Sequence, residues 1–334
     1  MKDQLEQLPI LILHPHNRCN CRCVMCDIWK TDQAKEISLA ELERHLADIE
    51  RLQVKWVVFS GGEPLMHSDL FRLAALLRAR NIRITLLSTG LLIGRYTSQI
   101  AENIDDIIVS LDGPPEVHDK IRRVSGAFAS LSTGVNELLE HKPGFSISIR
   151  STVQKLNCSR LRETVATART LDVRGISFLA ADVTSTAFNR AQPWTILKQD
   201  EVAVSASELP FLDAEIEALI REEDCGGFVA ESPEKLRRIA DRFRARLGFT
   251  RPVAPLCNAP WVSAVVEADG AVRPCFFHSP VGNLASGDSL LQILNSDQAI
   301  AFRRNLDIAS NPICRRCVCS LHWSPYRPAT RLSN

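Results

Sequence analysis

The stretch Leu8-Pro-Ile-Leu-Ile-Leu13, followed by Cys19-Asn-Cys-Arg-Cys-Val-Met-Cys26, decides the fold class of this 334-residue chain. The apolar run predicts a buried β-strand, and three of the cysteines after it have the spacing C-x3-C-x2-C. Thiolates are the usual ligands of iron-sulfur clusters, and a cubane cluster contains four irons. Cys19, Cys23 and Cys26 therefore predict a cluster in which one iron stays open to another ligand.

Two other interpretations of this loop stay open. The three cysteines also have the i, i+4, i+7 spacing of buried thiols on one helix face, although Pro15, Asn17 and Asn20 favour turns here. Alternatively, Cys21 supplies a fourth sulfur, and four thiolates close around a structural zinc ion.

A second motif follows a second strand. Trp56-Val-Val-Phe-Ser60 is apolar and β-prone, and it ends in Gly61-Gly-Glu-Pro64. Glycines let a ligand approach the backbone closely, and the turn leaves carbonyls and a carboxylate at the strand end, where an ammonium group can bind. The two motifs, in this order and about one βα unit apart, resemble those of the radical S-adenosylmethionine (radical SAM) superfamily.

The resemblance implies an enzyme and a mechanism. A [4Fe-4S] cluster would bind S-adenosyl-L-methionine at its open iron, and an electron delivered through the cluster would cleave the sulfonium. The resulting 5′-deoxyadenosyl radical would abstract a hydrogen atom from the substrate, while the protein positions the cofactor and excludes water. A reducing partner such as flavodoxin or ferredoxin would supply the electron.

The resemblance also implies cofactor-binding residues. These are Met25 near the adenine, the turn Gly61, Gly62, Glu63 and Pro64 at the amino group, Ser110 and Asp112 at the ribose, and Arg150 and Ser151 at the methionine carboxylate. Met25 departs from the aromatic residue that is common at its place in the family. Other interpretations are a capped turn at Asp112-Gly-Pro and a rim salt bridge for Arg150.

The rest of the first half alternates between strand and helix patterns. Strands are predicted at Ile10–Leu13, Trp56–Phe59, Ile82–Leu87, Ile107–Leu111, Phe145–Val153 and Ile176–Ala180, and helices at Leu39–Leu52, Asp69–Arg80, Tyr96–Asn103, Ala127–His141 and Arg160–Leu171. Ser38 and Glu41 form a capping-box pattern before the first helix. Alternating βα units predict a parallel sheet with ligand loops at the carboxyl ends of its strands. The predicted fold is α/β, a partial (β/α)6 TIM-like barrel.

A second cysteine set lies in the last third of the chain. Cys257 and Cys275 flank a predicted hairpin with an Asp-Gly turn, and Cys314-x2-Cys317 follows a helix that begins near Ser289. This pattern is similar to the α+β auxiliary-cluster domain called SPASM or, in its shorter form, twitch. It implies a second [4Fe-4S] cluster on Cys257, Cys275, Cys314 and Cys317, with Cys319 as an alternative to Cys317. A zinc ribbon is the other interpretation.

These patterns predict four regions. They are a radical SAM partial barrel over residues 1–183, a helical connecting region over 184–250, a SPASM/twitch-like domain over 251–324 and a poorly ordered tail over 325–334.

Composition excludes several classes of function. The formal net charge is +1, which gives no indication of a nucleic-acid partner or an anionic membrane surface. The chain has no apolar run of membrane-spanning length and no signal-peptide pattern at its start. We therefore expect a cytoplasmic protein in which most of the eleven cysteines serve metal clusters rather than disulfides, while Cys158 and Cys225 stand apart from both sets.

The sequence does not identify the substrate. Because the first strand begins near Ile10, we expect no leader-binding module ahead of the barrel, which favours a small metabolite or a short peptide. A ribosomal peptide or protein maturase of the SPASM type is the alternative. A non-catalytic iron-sulfur or zinc protein is a further alternative, but it would have no need of the Gly-Gly-Glu-Pro turn.

Overall fold

The structure is a computed structural model that describes residues 3–31 and 33–324. A single sheet of nine strands runs through these residues, in the order β6-β5-β4-β3-β2-β1-β7-β8-β9. The strands are β1 (Ile10–His16), β2 (Trp56–Gly61), β3 (Arg83–Ser88), β4 (Asp106–Ser110), β5 (Ser146–Val153), β6 (Ile176–Ala180), β7 (Ser263–Val266), β8 (Ala271–Arg273) and β9 (Gly282–Asn283). Strands β1 to β6 are parallel neighbours, and they form the open barrel that the sequence predicts.

Helices connect the strands and cover the outer face of the sheet. They are α1 (Leu39–Arg44), α2 (Leu46–Arg51), α3 (Leu70–Arg78), α4 (Thr97–Asn103), α5 (Pro115–Arg122), α6 (Ala127–His141), α7 (Leu161–Arg169), α8 (Ile196–Val202), α9 (Leu209–Glu222), α10 (Pro233–Arg246), α11 (Ala259–Val262), α12 (Leu290–Leu294), α13 (Asp297–Asn305) and α14 (Pro312–Arg315). No helix of the described chain is long and apolar enough to cross a lipid bilayer.

Two apolar clusters hold the barrel together. The larger one fills the space between the sheet and its helices, and residues such as Leu73 and Leu77 of α3 are fully buried in it. Burial of one such side chain contributes roughly 1.5–3 kcal/mol. The smaller cluster contains Ile10 and Trp56, against which Leu321 and Trp323 of the carboxy-terminal segment pack.

The six predicted barrel strands are confirmed, and so is the capping box of Ser38 and Glu41. The single helix predicted over Leu39–Leu52 is wrong, because the chain forms two short helices that meet at His45, whose φ of −106° and ψ of 3° are not helical. Helix α5 was not predicted. The predicted tail, 325–334, lies outside the described residues.

The cysteine-rich carboxy-terminal part is joined directly to the barrel. Strand β7 pairs in parallel with β1, from Ile10 opposite Ser263 to Leu13 opposite Val266, and β8 and β9 continue the sheet in antiparallel order. The carboxyl end of β1 therefore lies between the barrel and the second cysteine set.

Candidate functional site

The carboxyl ends of the parallel strands form one edge of the sheet, where ligand loops of α/β proteins lie. This edge carries the predicted cofactor residues. The cysteine loop follows β1, and the Gly-Gly-Glu-Pro turn lies at the end of β2. The ends of the next three strands carry Ser88-Thr89 (β3), Ser110-Leu-Asp112 (β4) and Ser151 to Gln154 (β5). Residues 181–191 follow β6.

The cysteine loop is irregular between residues 17 and 27, so the interpretation of its cysteines as one face of a helix is wrong. Hydrogen bonds fix its shape: the N–H of Cys26 donates to the carbonyl of Cys23 at 3.3 Å, and the indole of Trp29 donates to the carbonyl of Cys26 at 2.8 Å. The loop is also tied to α5, since Arg22 and Val24 donate backbone bonds to the carbonyls of Arg122 and Ile121.

The three predicted ligand thiols lie close enough to affect one another. Burial, with the nearby Cys23 thiolate as a further cause, raises the pKa of Cys19 and of Cys26 to about 12. The pKa of Cys23 itself is lowered to about 6, because the Cys21 thiol donates a hydrogen bond to it and the Arg122 guanidinium lies beside it. The donor set of Cys19, Cys23 and Cys26 fits a cluster with three protein ligands.

The fourth cysteine of the loop lies in the same apolar cluster as Cys23. Cys21 is only 1% exposed and belongs to the main apolar cluster. Its contact with Cys23 raises the pKa of the Cys21 thiol, and burial acts in the same direction.

The Gly-Gly-Glu-Pro turn packs tightly against the cysteine loop. A Cβ atom on Gly62 would lie 1.9 Å from the carbonyl oxygen of Arg18, and the N–H of Glu63 donates to that same oxygen at 2.8 Å. Gly61 has a φ of +104°, which favours glycine. Only glycine therefore allows β2 to end this close to the loop.

Glu63 lies beneath the turn and is fully buried. Its carboxylate accepts hydrogen bonds from the N–H of Thr89 at 2.6 Å, the hydroxyl of Ser88 at 3.0 Å and the N–H of Leu65 at 3.1 Å. Burial raises the pKa of Glu63, and these donors oppose the rise. The side chain thus joins the end of β2 to the end of β3, and its role toward a cofactor stays a prediction.

Unpartnered polar atoms lie at the end of β5. The hydroxyl of Ser151 and the Oε1 and Nε2 atoms of Gln154 are buried, and the described residues offer these atoms no hydrogen-bond partner. They fit a polar ligand such as the ribose or carboxylate of the cofactor, and Gln154 was not predicted.

Two other predicted cofactor residues lie nearby in the sheet. Ser110 is half-buried at the end of β4. Arg150 donates to the hydroxyl of Ser177 at 3.3 Å, so its predicted carboxylate contact stays a prediction.

Asp112 is paired within the chain. Its carboxylate lies 2.6 Å from the Arg122 guanidinium and accepts the N–H of Thr152 at 2.8 Å. Burial raises the pKa of Asp112, and the charge of Arg122 opposes the rise. Burial lowers the pKa of Arg122, but the charges of Asp112 and Cys23 raise it more. The pKa of Arg122 therefore lies above its usual range.

A second buried pair follows β6 and was also not predicted. The side chains of Arg190 and Asp182 lie 2.8 Å apart and are at most 2% exposed. Arg190 also donates to the carbonyl of Met25 at 3.0 Å, and Trp194 donates to the carboxylate of Asp27 at 2.6 Å. The segment after β6 therefore holds the carboxyl end of the cysteine loop.

A cavity of about 640 Å³ opens beside the cysteine loop. Its walls are the end of β1, the turn after β2, residues 186–191 and the hairpin between β7 and β8. His14, Gly61, Gly62, Phe188, Glu267, Arg273 and Phe276 are among its lining residues. Burial lowers the pKa of His14 to about 4, with Arg273 as the second cause, so this imidazole is neutral at pH 7.

The second cysteine set lines a separate, small apolar cavity. Cys257, Cys275, Cys314 and Cys317 all line it, together with Pro255, Pro260, Phe277 and Ile313. Four thiols around one cavity fit a fully ligated cluster. Cys319 is not among the lining residues, and its carbonyl accepts a hydrogen bond from the thiol of Cys317 at 3.1 Å. Its use in place of Cys317 stays a less favoured alternative.

Comparison with known proteins agrees with this arrangement. A model of the radical SAM superfamily matches residues 13–157, and a model of SPASM, an iron-sulfur cluster-binding domain, matches residues 257–318. These ranges contain the first and the second cysteine set, respectively.

The chain is similar in sequence to several characterised enzymes. It is 31% identical over 156 residues to Fe-coproporphyrin III synthase of Methanosarcina barkeri, a match that covers 46% of this chain and 39% of the relative. It is 33% identical over 159 residues to pre-heme d1 synthase of Dinoroseobacter shibae, with the same two coverages. It is 29% identical over 158 residues to the mycofactocin maturase of Mycolicibacterium smegmatis, which covers 45% of this chain and 39% of that one. The chain thus spans about two fifths of the length of these curated relatives.

Solved structures share its fold. Streptococcus suis SuiB bound to the precursor peptide SuiA superimposes with a TM-score of 0.65 at 15% identity, over 95% of this chain and 72% of that one. The enzyme anSMEcpe with bound AdoMet gives a TM-score of 0.65 at 17% identity, over 92% and 86% of the two chains. The chain thus contains a radical SAM superfamily domain at residues 13–157 and a carboxy-terminal SPASM iron-sulfur cluster-binding domain at residues 257–318.

Proposed function

We propose that this chain reductively cleaves S-adenosylmethionine and uses the resulting radical to abstract hydrogen from a substrate in the 640 Å³ cavity. The observation that carries the proposal is the meeting of three thiols, a glycine turn and unpartnered buried polar atoms at one sheet edge. Each of these features supplies one part of the cofactor site.

Cys19, Cys23 and Cys26 would be the protein ligands of the cluster at this edge. A [4Fe-4S] cluster with bound S-adenosylmethionine supplies the electron that splits the sulfonium into methionine and a 5′-deoxyadenosyl radical. Gly61 and Gly62 keep the backbone open to the cavity for the amino group. Pro64 begins a short 3-10 turn directly after Glu63, which fixes where the glycine turn ends.

The ends of β4 and β5 would bind the remaining parts of the cofactor. Ser151 and Gln154 present buried atoms that need partners, and an unmade hydrogen bond of a buried group costs about 1–3 kcal/mol. Cofactor binding would remove that cost. Ser110 is the candidate that would bind a ribose hydroxyl. Asp112 would contribute to the cofactor site by holding its partners Arg122 and Thr152 in place. Met25 would lie near the adenine, with its carbonyl fixed by Arg190.

The second cysteine set would hold one auxiliary [4Fe-4S] cluster. Its four thiols line one cavity, and four ligands leave no iron open to S-adenosylmethionine. This cluster would accept the electron left on the substrate radical or hold the SPASM domain against the cavity.

The cavity supports a small metabolite or a short peptide as substrate. Its volume of about 640 Å³ lies within the range of roughly 300–1,000 Å³ that is usual for small-molecule sites. The relatives include enzymes named for porphyrin and heme synthesis. A peptide maturase is the second candidate, since a mycofactocin maturase is among the relatives and SuiB, which shares the fold, was solved with its precursor peptide.

The test is release of 5′-deoxyadenosine. Reduced, anaerobically reconstituted protein should convert S-adenosylmethionine to 5′-deoxyadenosine slowly without substrate, and Cys23→Ala should abolish the release. Cys225→Ser is the matched control, because Cys225 lies outside both cysteine sets. A parent protein that holds its iron but releases no 5′-deoxyadenosine would refute the proposed function.

A further inference from the structure

One of the predicted cluster ligands has a buried cationic partner. The Nη1 atom of Arg122 donates to the sulfur of Cys23 at 3.5 Å. Arg122 is 7% exposed and Asp112 is 0% exposed, and the two charges lie 2.6 Å apart. The guanidinium is thus held between a carboxylate and a thiol, and its Nε atom has no partner among the described residues.

The backbone fixes this geometry from both sides. The carbonyls of Ile121 and Arg122 accept hydrogen bonds from Val24 at 3.0 Å and Arg22 at 3.1 Å, the neighbours of Cys23 in the loop. Helix α5 ends at Arg122, because Arg123 has a left-handed φ of 53°. On the other side, Asp112 is anchored by the N–H of Thr152. Arg122 therefore has little freedom to leave the sulfur.

A cation at a ligand sulfur affects reduction more than assembly. Reduction adds an electron to the cluster, and part of its charge resides on the sulfurs. Hydrogen bonds to the sulfurs and the local net charge are among the factors that set the reduction potential of a cluster. In a buried site these electrostatic interactions are stronger than in water. An N–H donor with a positive charge should therefore stabilise the reduced form.

We propose that Arg122, positioned by Asp112, raises the reduction potential of the cluster on Cys19, Cys23 and Cys26 through its hydrogen bond to the Cys23 sulfur. The inference rests on the proposed function, since it assumes that this cluster forms. Arg122 is then a positioning and tuning residue. Asp112 has two opposed effects, because it orients the guanidinium and also offsets part of its charge.

The experiment is a redox titration of the complete, reconstituted protein followed by electron paramagnetic resonance. The signal that changes on addition of S-adenosylmethionine identifies the amino-terminal cluster. Arg122→Gln should lower the ratio of reduced to oxidised cluster at a fixed potential about tenfold, which corresponds to about 59 mV for a one-electron couple. Arg122→Lys, which keeps a charge but loses the planar donor, should restore part of the difference.

Two further variants make the test decisive. Arg123→Gln removes the same charge from the exposed neighbouring residue and should leave the potential unchanged. Asp112→Asn keeps an oxygen that accepts from the guanidinium and removes the opposing charge, so it should shift the potential upward. Arg122→Lys, whose potential should lie below that of the parent, provides the test if Arg122→Gln fails to fold by circular dichroism. Equal shifts in Arg122→Gln and Arg123→Gln, or a downward shift in Asp112→Asn, would overturn the inference. A parent protein without iron would instead refute the proposed function on which it rests.

Discussion

The two cysteine sets of this chain differ in how their thiols are supplied and surrounded. The first set comes from one eight-residue loop, and a buried arginine donates to the sulfur of Cys23. The second set comes from three separate segments and lines an apolar cavity with Pro255, Pro260 and Ile313. The first site lies beside the 640 Å³ cavity, whereas the second set lines a separate and smaller cavity.

The thiol pKa values set Cys23 apart from the other thiols of both sets, because burial raises the pKa of Cys19 and of Cys26 to about 12. The pKa of Cys23 is lowered to about 6 by the Cys21 hydrogen bond and the nearby Arg122. In the second set, burial raises the pKa of Cys275 to about 12 and that of Cys314 to about 11. Three ligands in a charged environment suit a site where a further ligand binds and reacts. Four thiols around one mostly apolar cavity, with His278 Nε2 3.4 Å from the Cys314 sulfur, suit a cluster with no open iron.

The two sites meet at a pair of adjacent aromatic residues. Phe277 lines the cavity of the second cysteine set, and Phe276 lines the large cavity. The ring of Phe276 lies 5.6 Å from that of His14 and 5.0 Å from that of Phe188. The hairpin of the SPASM domain thus forms one wall of the proposed substrate site.

The largest expected effect separates the two sites. The double variant Cys314→Ala, Cys317→Ala should lose about half of the iron, the content of one four-iron cluster of two. Since the amino-terminal loop is untouched, the variant should keep some uncoupled release of 5′-deoxyadenosine, while product formation is lost. We would compare both yields at matched folded protein, judged by circular dichroism. Unchanged product formation would show that the second cluster has no part in turnover.

A second prediction concerns the packing of the turn against the cysteine loop. Gly62→Ala places a Cβ atom 1.9 Å from the carbonyl oxygen of Arg18, so the turn and the loop must move apart. A displacement of about 1 Å can cost about a hundredfold in rate, and we expect 5′-deoxyadenosine release to fall by about that factor. Gly144→Ala is the control for backbone strain alone, because its φ of +77° disfavours alanine while no atom lies within 4 Å of its Cβ position; it should lower stability and leave the release unchanged. Equal activity of both variants would contradict the close packing.

A smaller effect distinguishes two roles for Glu63: accepting the hydrogen bonds that hold the turn, or placing its negative charge directly on the cofactor. Glu63→Ala leaves the donors of Ser88, Thr89 and Leu65 unpaired, and we expect the affinity for S-adenosylmethionine to fall about tenfold, or about 1.4 kcal/mol. Glu63→Gln keeps an acceptor and should lose less. Isothermal titration of each variant measures the affinity. If both variants lose the same affinity, the carboxylate charge acts directly on the cofactor. If neither variant loses affinity, the turn does not serve the cofactor.

Much of the barrel could be predicted because its signals are local. The limits of β6, Ile176–Ala180, and of α6, Ala127–His141, coincide with the predicted ones, since apolar periodicity and flanking turns fix them. Helix α5 was missed because the Asp-Gly-Pro turn signal at its start hides a short and mostly polar helix.

Long-range contacts could not be predicted in the same way. The pairing of β1 with β7 joins Ile10 to Ser263, and the bond between Arg122 and Cys23 joins residues 99 positions apart. No local pattern carries such contacts, because they follow from how the whole chain folds. Gln154 offered a weak signal, as a polar residue directly after a strand that carries other candidates.

The most direct test of the account is the metal content of the two sites. Anaerobically reconstituted protein should bind about eight irons, the content of two four-iron clusters. Cys19→Ala, Cys23→Ala and Cys26→Ala should each remove about half of this iron and all release of 5′-deoxyadenosine. Tightly bound zinc, with no iron at the amino-terminal cysteines of anaerobically purified and reconstituted protein, would contradict the account.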